Sequence, residues 1–169
     1  MLFRSLDGLP KTFTGNIKIA GGTITSQYTN FTVLQVGVGT SPNSIPDTAN
    51  VEVEENAVLR LYNSEEAINS LTGSGRVRGV VSANFLVVGA AGGSGTFNGI
   101  LENDPFDGGS LGLVKAGSGT LTLNGTNTFT QPLQVNAGTL AFGPNGSASN
   151  APRVLLATGA ILNVSNVTG

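Results

Sequence analysis

Short stretches in which every second residue is apolar recur along the chain, as in Asn16-Ile17-Lys18-Ile19-Ala20, Val51-Glu52-Val53-Glu54 and Thr120-Leu121-Thr122-Leu123-Asn124. A period of two puts the apolar side chains on one face of an extended strand and the polar ones on the other. The same alternation predicts strands over 58–62, 76–81, 85–88, 96–101, 133–135, 139–142 and 161–164, and no segment carries the period of a helix. Breakers separate these strands: Gly21-Gly22, Gly73-Ser74-Gly75, the run 89–95, Asp107-Gly108-Gly109, Gly117-Ser118-Gly119, Asn124-Gly125 and Asn145-Gly146. Turns about every 8 to 12 residues permit a sandwich, a barrel or a solenoid.

Internal repetition decides among them. The stretch from Phe13 to Ile24 aligns without a gap with that from Phe129 to Leu140, so that Ile17-Lys18-Ile19 matches Leu133-Gln134-Val135. Further on, Leu34-Gln35-Val36-Gly37 matches Leu140-Ala141-Phe142-Gly143. Val51, Val53, Ala57, Leu59 and Leu61 match Val154, Leu156, Ala160, Leu162 and Val164. Repeats too small to bury their own apolar faces are covered by stacking on their neighbours. The expected fold is therefore all-β, a parallel β-helix (β-solenoid) of about seven coils of roughly 20 to 25 residues, making a column of about 35 Å. Residues 1–10 are read as an N-terminal extension or cap, and residues 11–169 as a single solenoid domain with about one and a half long repeats. Leu121, Leu123, Leu133, Val135, Leu140 and Phe142 are the predicted core. The competing arrangement is an antiparallel sheet with hairpin turns at Asn124-Gly125 and Asn145-Gly146.

Composition narrows the chemistry. Glycine stands at 25 of 169 residues and charged residues at 11%, with a formal net charge of -2, so no basic footprint exists for a nucleic-acid backbone. Cysteine and histidine are absent, which removes disulfides, thiolate nucleophiles, Cys/His zinc sites and an imidazole base. No run of 18 apolar residues is present, so no helical membrane insertion is expected. Met1 to Pro10 carries Arg4 and Asp7 where a signal peptide needs an unbroken apolar stretch.

The stretch from Gly117 to Thr130, Gly-Ser-Gly-Thr-Leu-Thr-Leu-Asn-Gly-Thr-Asn-Thr-Phe-Thr, followed by Val135-Asn136-Ala137-Gly138-Thr139-Leu140, closely resembles the autotransporter passenger-associated β-strand repeat. Ala57 to Leu61, Ile68 to Gly75 and Ser94 to Leu101 look like the pieces that precede this motif in such passengers, so the resemblance covers roughly Lys11 to Gly169. Gln131-Pro132 stands where the family commonly has glycine. The resemblance implies a right-handed parallel β-helix displayed outside a bacterial cell, extracellular or at the cell surface, and it implies no catalytic residue.

The run 89–95 lacks the Gly-Lys-Ser/Thr ending of a phosphate loop and reads as a turn. Glu102, Asp104 and Asp107 cluster as hard-cation ligands do, with a spacing that fits neither an EF-hand nor the nonapeptide calcium repeat. Glu52 and Glu54 share one strand face, as paired acids of a polysaccharide-degrading β-helix would. Asn30, Asn124, Asn145, Asn163 and Asn166 satisfy the glycosylation acceptor pattern at a frequency that chance explains. No catalytic, cofactor-binding or metal-ligating residue is assigned, and no enzymatic activity or cofactor is expected.

The leading functional expectation is an extracellular structural segment, a stalk or self-assembling subunit, associating end to end into a homo-oligomer or filament unless Leu2, Phe3, Leu6 and Leu9 fold back as a cap. The alternative is an adhesin-type module using the loops Gly37 to Asp47 and Glu102 to Gly109 for a host or matrix ligand. A polysaccharide-degrading enzyme ranks third.

Overall fold

The computed structural model describes residues 2–5, 15–21, 32–37, 43–62 and 65–168, and all their regular structure is strand. Among the described residues seventeen strands form three sheets. The first holds Leu2–Ser5 (β1), Thr32–Val36 (β3), Ala57–Tyr62 (β5), Arg76–Val80 (β8) and Ile100–Asn103 (β11), in that order. The second runs from Ile17–Ile19 (β2) through Asn50–Val53 (β4), Ser70–Gly73 (β7), Gly95–Phe97 (β10), Thr120–Leu123 (β13) and Thr139–Phe142 (β15) to Ile161–Asn163 (β17). The third holds Glu65–Ile68 (β6), Ala83–Val88 (β9), Ser110–Lys115 (β12), Leu133–Val135 (β14) and Val154–Leu156 (β16).

Every strand pair is parallel. From β5 to β13 the chain visits the first, third and second sheets in turn, three times over. This is a β-solenoid. Seven strands on the second sheet are seven rungs joined by about six turns. The antiparallel alternative is thereby overturned, since the strands on either side of Asn124-Gly125 (β13 and β14) and of Asn145-Gly146 (β15 and β16) lie on different sheets instead of pairing as hairpins.

The alternation seen in the sequence becomes columns of like side chains. Leu121 pairs with Leu140 and Leu140 with Leu162, while Phe97 pairs with Leu123 and Leu123 with Phe142. On the third sheet Leu86, Leu113 and Leu133 lie in register. All six predicted core residues are buried. Each such side chain contributes about 1.5–3 kcal/mol by leaving water.

Glycine is needed where one corner nests on the next. A Cβ at Gly117, at φ +60, would lie 2.0 Å from the carbonyl oxygen of Gly89, and one at Gly73, at φ +103, would lie 2.1 Å from that of Val53. No other residue has both the backbone freedom and the lack of bulk. Outside the barrel of strands, asparagines tie the rungs. Asn50 Nδ2 donates to Asn16 Oδ1 at 2.9 Å, Asn69 Nδ2 donates to Asn50 Oδ1 at 2.8 Å, and Gly93 N donates to Asn69 Oδ1 at 2.8 Å. Asn124 Nδ2 and Asn98 Oδ1 repeat the contact at 2.6 Å.

The long repeat meets a different outcome. Ile17-Lys18-Ile19 lies on the second sheet and its match Leu133-Gln134-Val135 on the third; Leu34-Gln35-Val36 lies on the first and Leu140-Ala141-Phe142 on the second. Val51 and Val53, on the second, match Val154 and Leu156 on the third. Strands of every face share the same alternation and the same glycine corners, so a gapless alignment matched strands one face apart. Phe13, Thr14 and 22–24 of that repeat, and Leu6 and Leu9 of the expected cap, lie outside the described residues. Leu2–Ser5 pairs with Thr32 to Gln35 as the outermost strand of the first sheet.

Candidate functional site

Glu102, Asp104 and Asp107 come together at the corner after β11, where arginines answer all three. The register of the first sheet sets Gln35, Arg60, Arg78 and Glu102 on successive rungs. Arg76 Nη1 and Arg78 Nε donate to the two oxygens of Glu102 at 2.9 and 2.7 Å. Arg60 Nη2 lies 3.1 Å from Asp104 Oδ2 and also binds Asp107. The other oxygen of Asp104 accepts the backbone N–H groups of Phe106 and Asp107 at 2.9 and 3.1 Å, which fixes the turn. Three carboxylates against three guanidiniums make a neutral clamp, within which Asp104 Oδ2 and Arg60 Nε are buried without a hydrogen-bond partner and Asp104 Oδ2 is met by the Arg60 charge alone. Phe106 stands at the tip of this corner, 74% exposed.

Glu52 and Glu54 share Lys18, whose Nζ lies 3.4 Å from Glu52 Oε2 and 2.5 Å from Glu54 Oε1. The Lys18 hydrogen bond, followed by the N–H of Gly21, holds the Glu54 carboxyl below its ordinary range, and Glu54 raises Lys18 in return. A glycosidase needs one carboxyl held protonated to act as general acid, and Glu54 is shifted the opposite way. The pair borders a shallow depression with Glu55, Asn56 and Ser74.

The run 89–95 is a corner, with Gly89 and Gly92 at φ +97 and +85. Of the loop Gly37 to Asp47, residues 38–42 lie outside the described residues; Ser44 and Ile45 are buried and donate their N–H groups to the buried Glu66 carboxylate at 2.8 and 2.9 Å. Ser44, Ile45 and Pro46 are thus packed inward beside β6, while Asp47 of the same loop is exposed. Among the acceptor asparagines, Asn30 lies outside the described residues, Asn124 is bonded to Asn98, and Asn163 Oδ1 accepts from Ser165 N and Oγ.

Sequence reasoning missed a set of buried polar residues. Lys115 is fully buried, and its Nζ donates to the carbonyl oxygens of Ala116, Gly117 and Ala137 at 2.5, 2.9 and 3.2 Å. Burial lowers its pKa from the ordinary lysine value. Asn84 Nδ2 lies 3.2 Å from each of the carbonyl oxygens of Val80, Val81, Ser82 and Ser110, which share its two N–H donors, around a turn in which Val81 and Ser82 have positive φ. Asn127 joins three turns: its Oδ1 accepts from Leu101 N at 2.9 Å, and its Nδ2 donates to the carbonyls of Gly125 and Ser147, both at 2.8 Å. A signal existed. Lys115 has the parity of Leu111 and Leu113, Asn84 that of Leu86 and Val88, Glu66 that of Ile68, and Asn127 that of Phe129. Each polar residue at an inward position binds backbone groups at a corner, as burial demands.

These features define a parallel β-solenoid in which the buried Glu66, Asn84, Lys115 and Asn127 bind backbone groups across its turns. Residues 113–142 match the family model described as passenger-associated-transport-repeat. In the structure that match begins at Leu113 on β12 and ends at Phe142 on β15, and it contains the two registers that close one turn, Leu113 with Leu133 and Leu123 with Phe142. The chain thus carries a segment similar to an autotransporter passenger repeat, which implies a secreted or surface-exposed bacterial protein. No curated protein and no solved structure gives a match to the chain.

Proposed function

We propose that this chain is a structural segment of a bacterial passenger domain: a stiff extracellular column that spaces or supports other parts, with no catalytic role. The observation that supports this most is the use of its charged and amide groups. Glu66, Asn84, Lys115 and Asn127 bind backbone groups of neighbouring turns, and Arg60, Arg76 and Arg78 are closed on Glu102, Asp104 and Asp107. The test is incubation with acidic polysaccharides, read as reducing-sugar release. No release above buffer is expected; release that Glu54→Gln abolishes would contradict the reading.

A second reading, the adhesin-type module, is favoured by Phe106, a large aromatic side chain left in solvent on a turn that Asp104 and Arg60 hold rigid. Rigid exposed aromatics are efficient binding anchors. A glycan and matrix-protein panel read with the native chain and with Phe106→Ala decides it: the column reading expects no binding that this substitution removes.

A further inference from the structure

The three side faces of the column differ in what they turn outward. On the second sheet an outward register runs through Lys18, Glu52 and Thr72, and further along through Thr96 and Thr122. On the first it runs through Gln35, Arg60, Arg78 and Glu102. The third sheet is different: its outward register is Ala67, Val87, Val114, Gln134 and Leu155. Beside it lie Glu65, Phe85 and Gly112, with the Phe85 ring so close over Gly112 that a Cβ there would meet it at 2.5 Å. Two sides of the column are thus polar and the third is an apolar strip, on which Ala67, Phe85, Val87 and Gln134 are half-buried.

Charge marks only the two ends of this strip. Of the charged residues in its strands, Glu66 and Lys115 are buried, which leaves the exposed Glu65 on β6. At the other end the exposed Arg153 leads into β16; Val154 registers with the inward Leu133, so alternation turns Arg153 outward. Arg153 falls in the same outward register as Glu65, because Gly112 and Arg153 precede the stacked Leu113 and Val154. A two-fold axis along β12 exchanges the ends: Glu65 of each copy faces Arg153 of the other, and Ala67 faces Leu155. A pairing in the same direction would set like charge beside like. The strip runs along the side of the column, so turns stacked before β6 or after β16 would extend the column without covering it.

We infer that this strip is a self-association surface: two copies of the chain pack side by side, third sheet against third sheet, with their columns antiparallel. The interface is isologous and closes at two copies. Five rungs about 4.8 Å apart, with strands rising about 3.3 Å per residue, give a patch of roughly 20 Å by 15 Å. That is small for a specific interface, so association is weak and shows at high concentration. The inference goes beyond the column role and needs only the folded solenoid.

Sedimentation equilibrium of the whole chain, from micromolar to millimolar concentration, tests it. The mass should rise with concentration toward twice the 17.1 kDa of one chain. Val87→Lys should weaken association by about tenfold or more, since it sets an unpaired charge inside the contact. Glu65→Lys should weaken it by roughly tenfold, because the symmetry turns one substitution into two lysine–arginine repulsions. Glu65→Lys combined with Arg153→Glu should return it to within about threefold of the native value, a coupling that only opposed ends produce. Circular dichroism matching the native chain shows that each variant is folded. A single-chain mass throughout overturns the inference, as does a dimer that Val87→Lys leaves intact or a charge exchange that restores nothing. Each of these failures leaves the polysaccharide assay, and the structural reading, untouched.

Discussion

The middle and last turns of the column use the same residue types at the same registers, with opposite results. Leu113 lies between Leu86 and Leu133 and is fully buried, whereas Val154 has Leu133 on one side only and is 47% exposed. Leu123, between Phe97 and Phe142, is likewise buried, while Leu156, paired with Val135 alone, is 54% exposed. In a globular core burial depends on a whole layer of distant contacts. Here it depends on the turns stacked on either side, so stability accrues turn by turn.

Substitutions that shorten side chains should separate the two regions. Leu123→Ala empties a site enclosed by Phe97 and Phe142 and should cost about 2–5 kcal/mol in urea unfolding, through lost transfer energy plus the cavity left behind.

Lys115 sharpens the comparison, because it occupies an inward place between Val88 and Val135 in the middle of the third sheet. Lys115→Met keeps the volume and strips three carbonyls of their donor, at a cost of about 1–3 kcal/mol. The pH dependence has a definite sign. The folded pKa lies below the unfolded value, so the folded chain binds fewer protons there, and native stability rises with pH between the lowered folded pKa and the ordinary lysine value of about 10.4. Other groups titrate alike in both proteins, so the stability deficit of Lys115→Met should widen across that alkaline window. A deficit that narrows would mean that the ammonium is not the group under strain.

The smallest effect belongs to the last described turn. Leu156→Ala removes a side chain already half in water and should change the unfolding free energy of this chain by less than about 1 kcal/mol. A loss as large as that of Leu123→Ala would mean that the last turn is covered.

Much of this architecture was legible in the sequence, and the reasons are physical. Alternation gave the strands and the predicted core because side-chain direction in a strand depends only on parity, and glycines marked the corners because nesting carbonyls admit no Cβ. Which face a strand joins was not legible. Ile17-Lys18-Ile19 and Leu133-Gln134-Val135 look alike yet lie on different sheets, since a face is set by how many residues each corner consumes. The interval between stacked partners varies from 34 residues between Asn16 and Asn50 to 20 between Asn50 and Ser70 and 26 between Asn98 and Asn124. The carboxylates around Pro105 were visible as a cluster, but the arginines that close on them come from rungs 24 to 47 residues away in sequence. Proximity along the chain shows neither partner.

Successive turns lie parallel and in register, and a disulfide between two of them is the sharpest probe of that stacking. Thr96 and Thr122 are register partners on β10 and β13, with side chains on the outer face, and the chain has no competing cysteine. Thr96→Cys combined with Thr122→Cys should oxidise to an intramolecular bond and raise stability by roughly 3 kcal/mol for a loop of this size. Failure to close, with both thiols remaining reactive in the folded chain, would contradict the stacking on which the core and the buried Lys115 both depend.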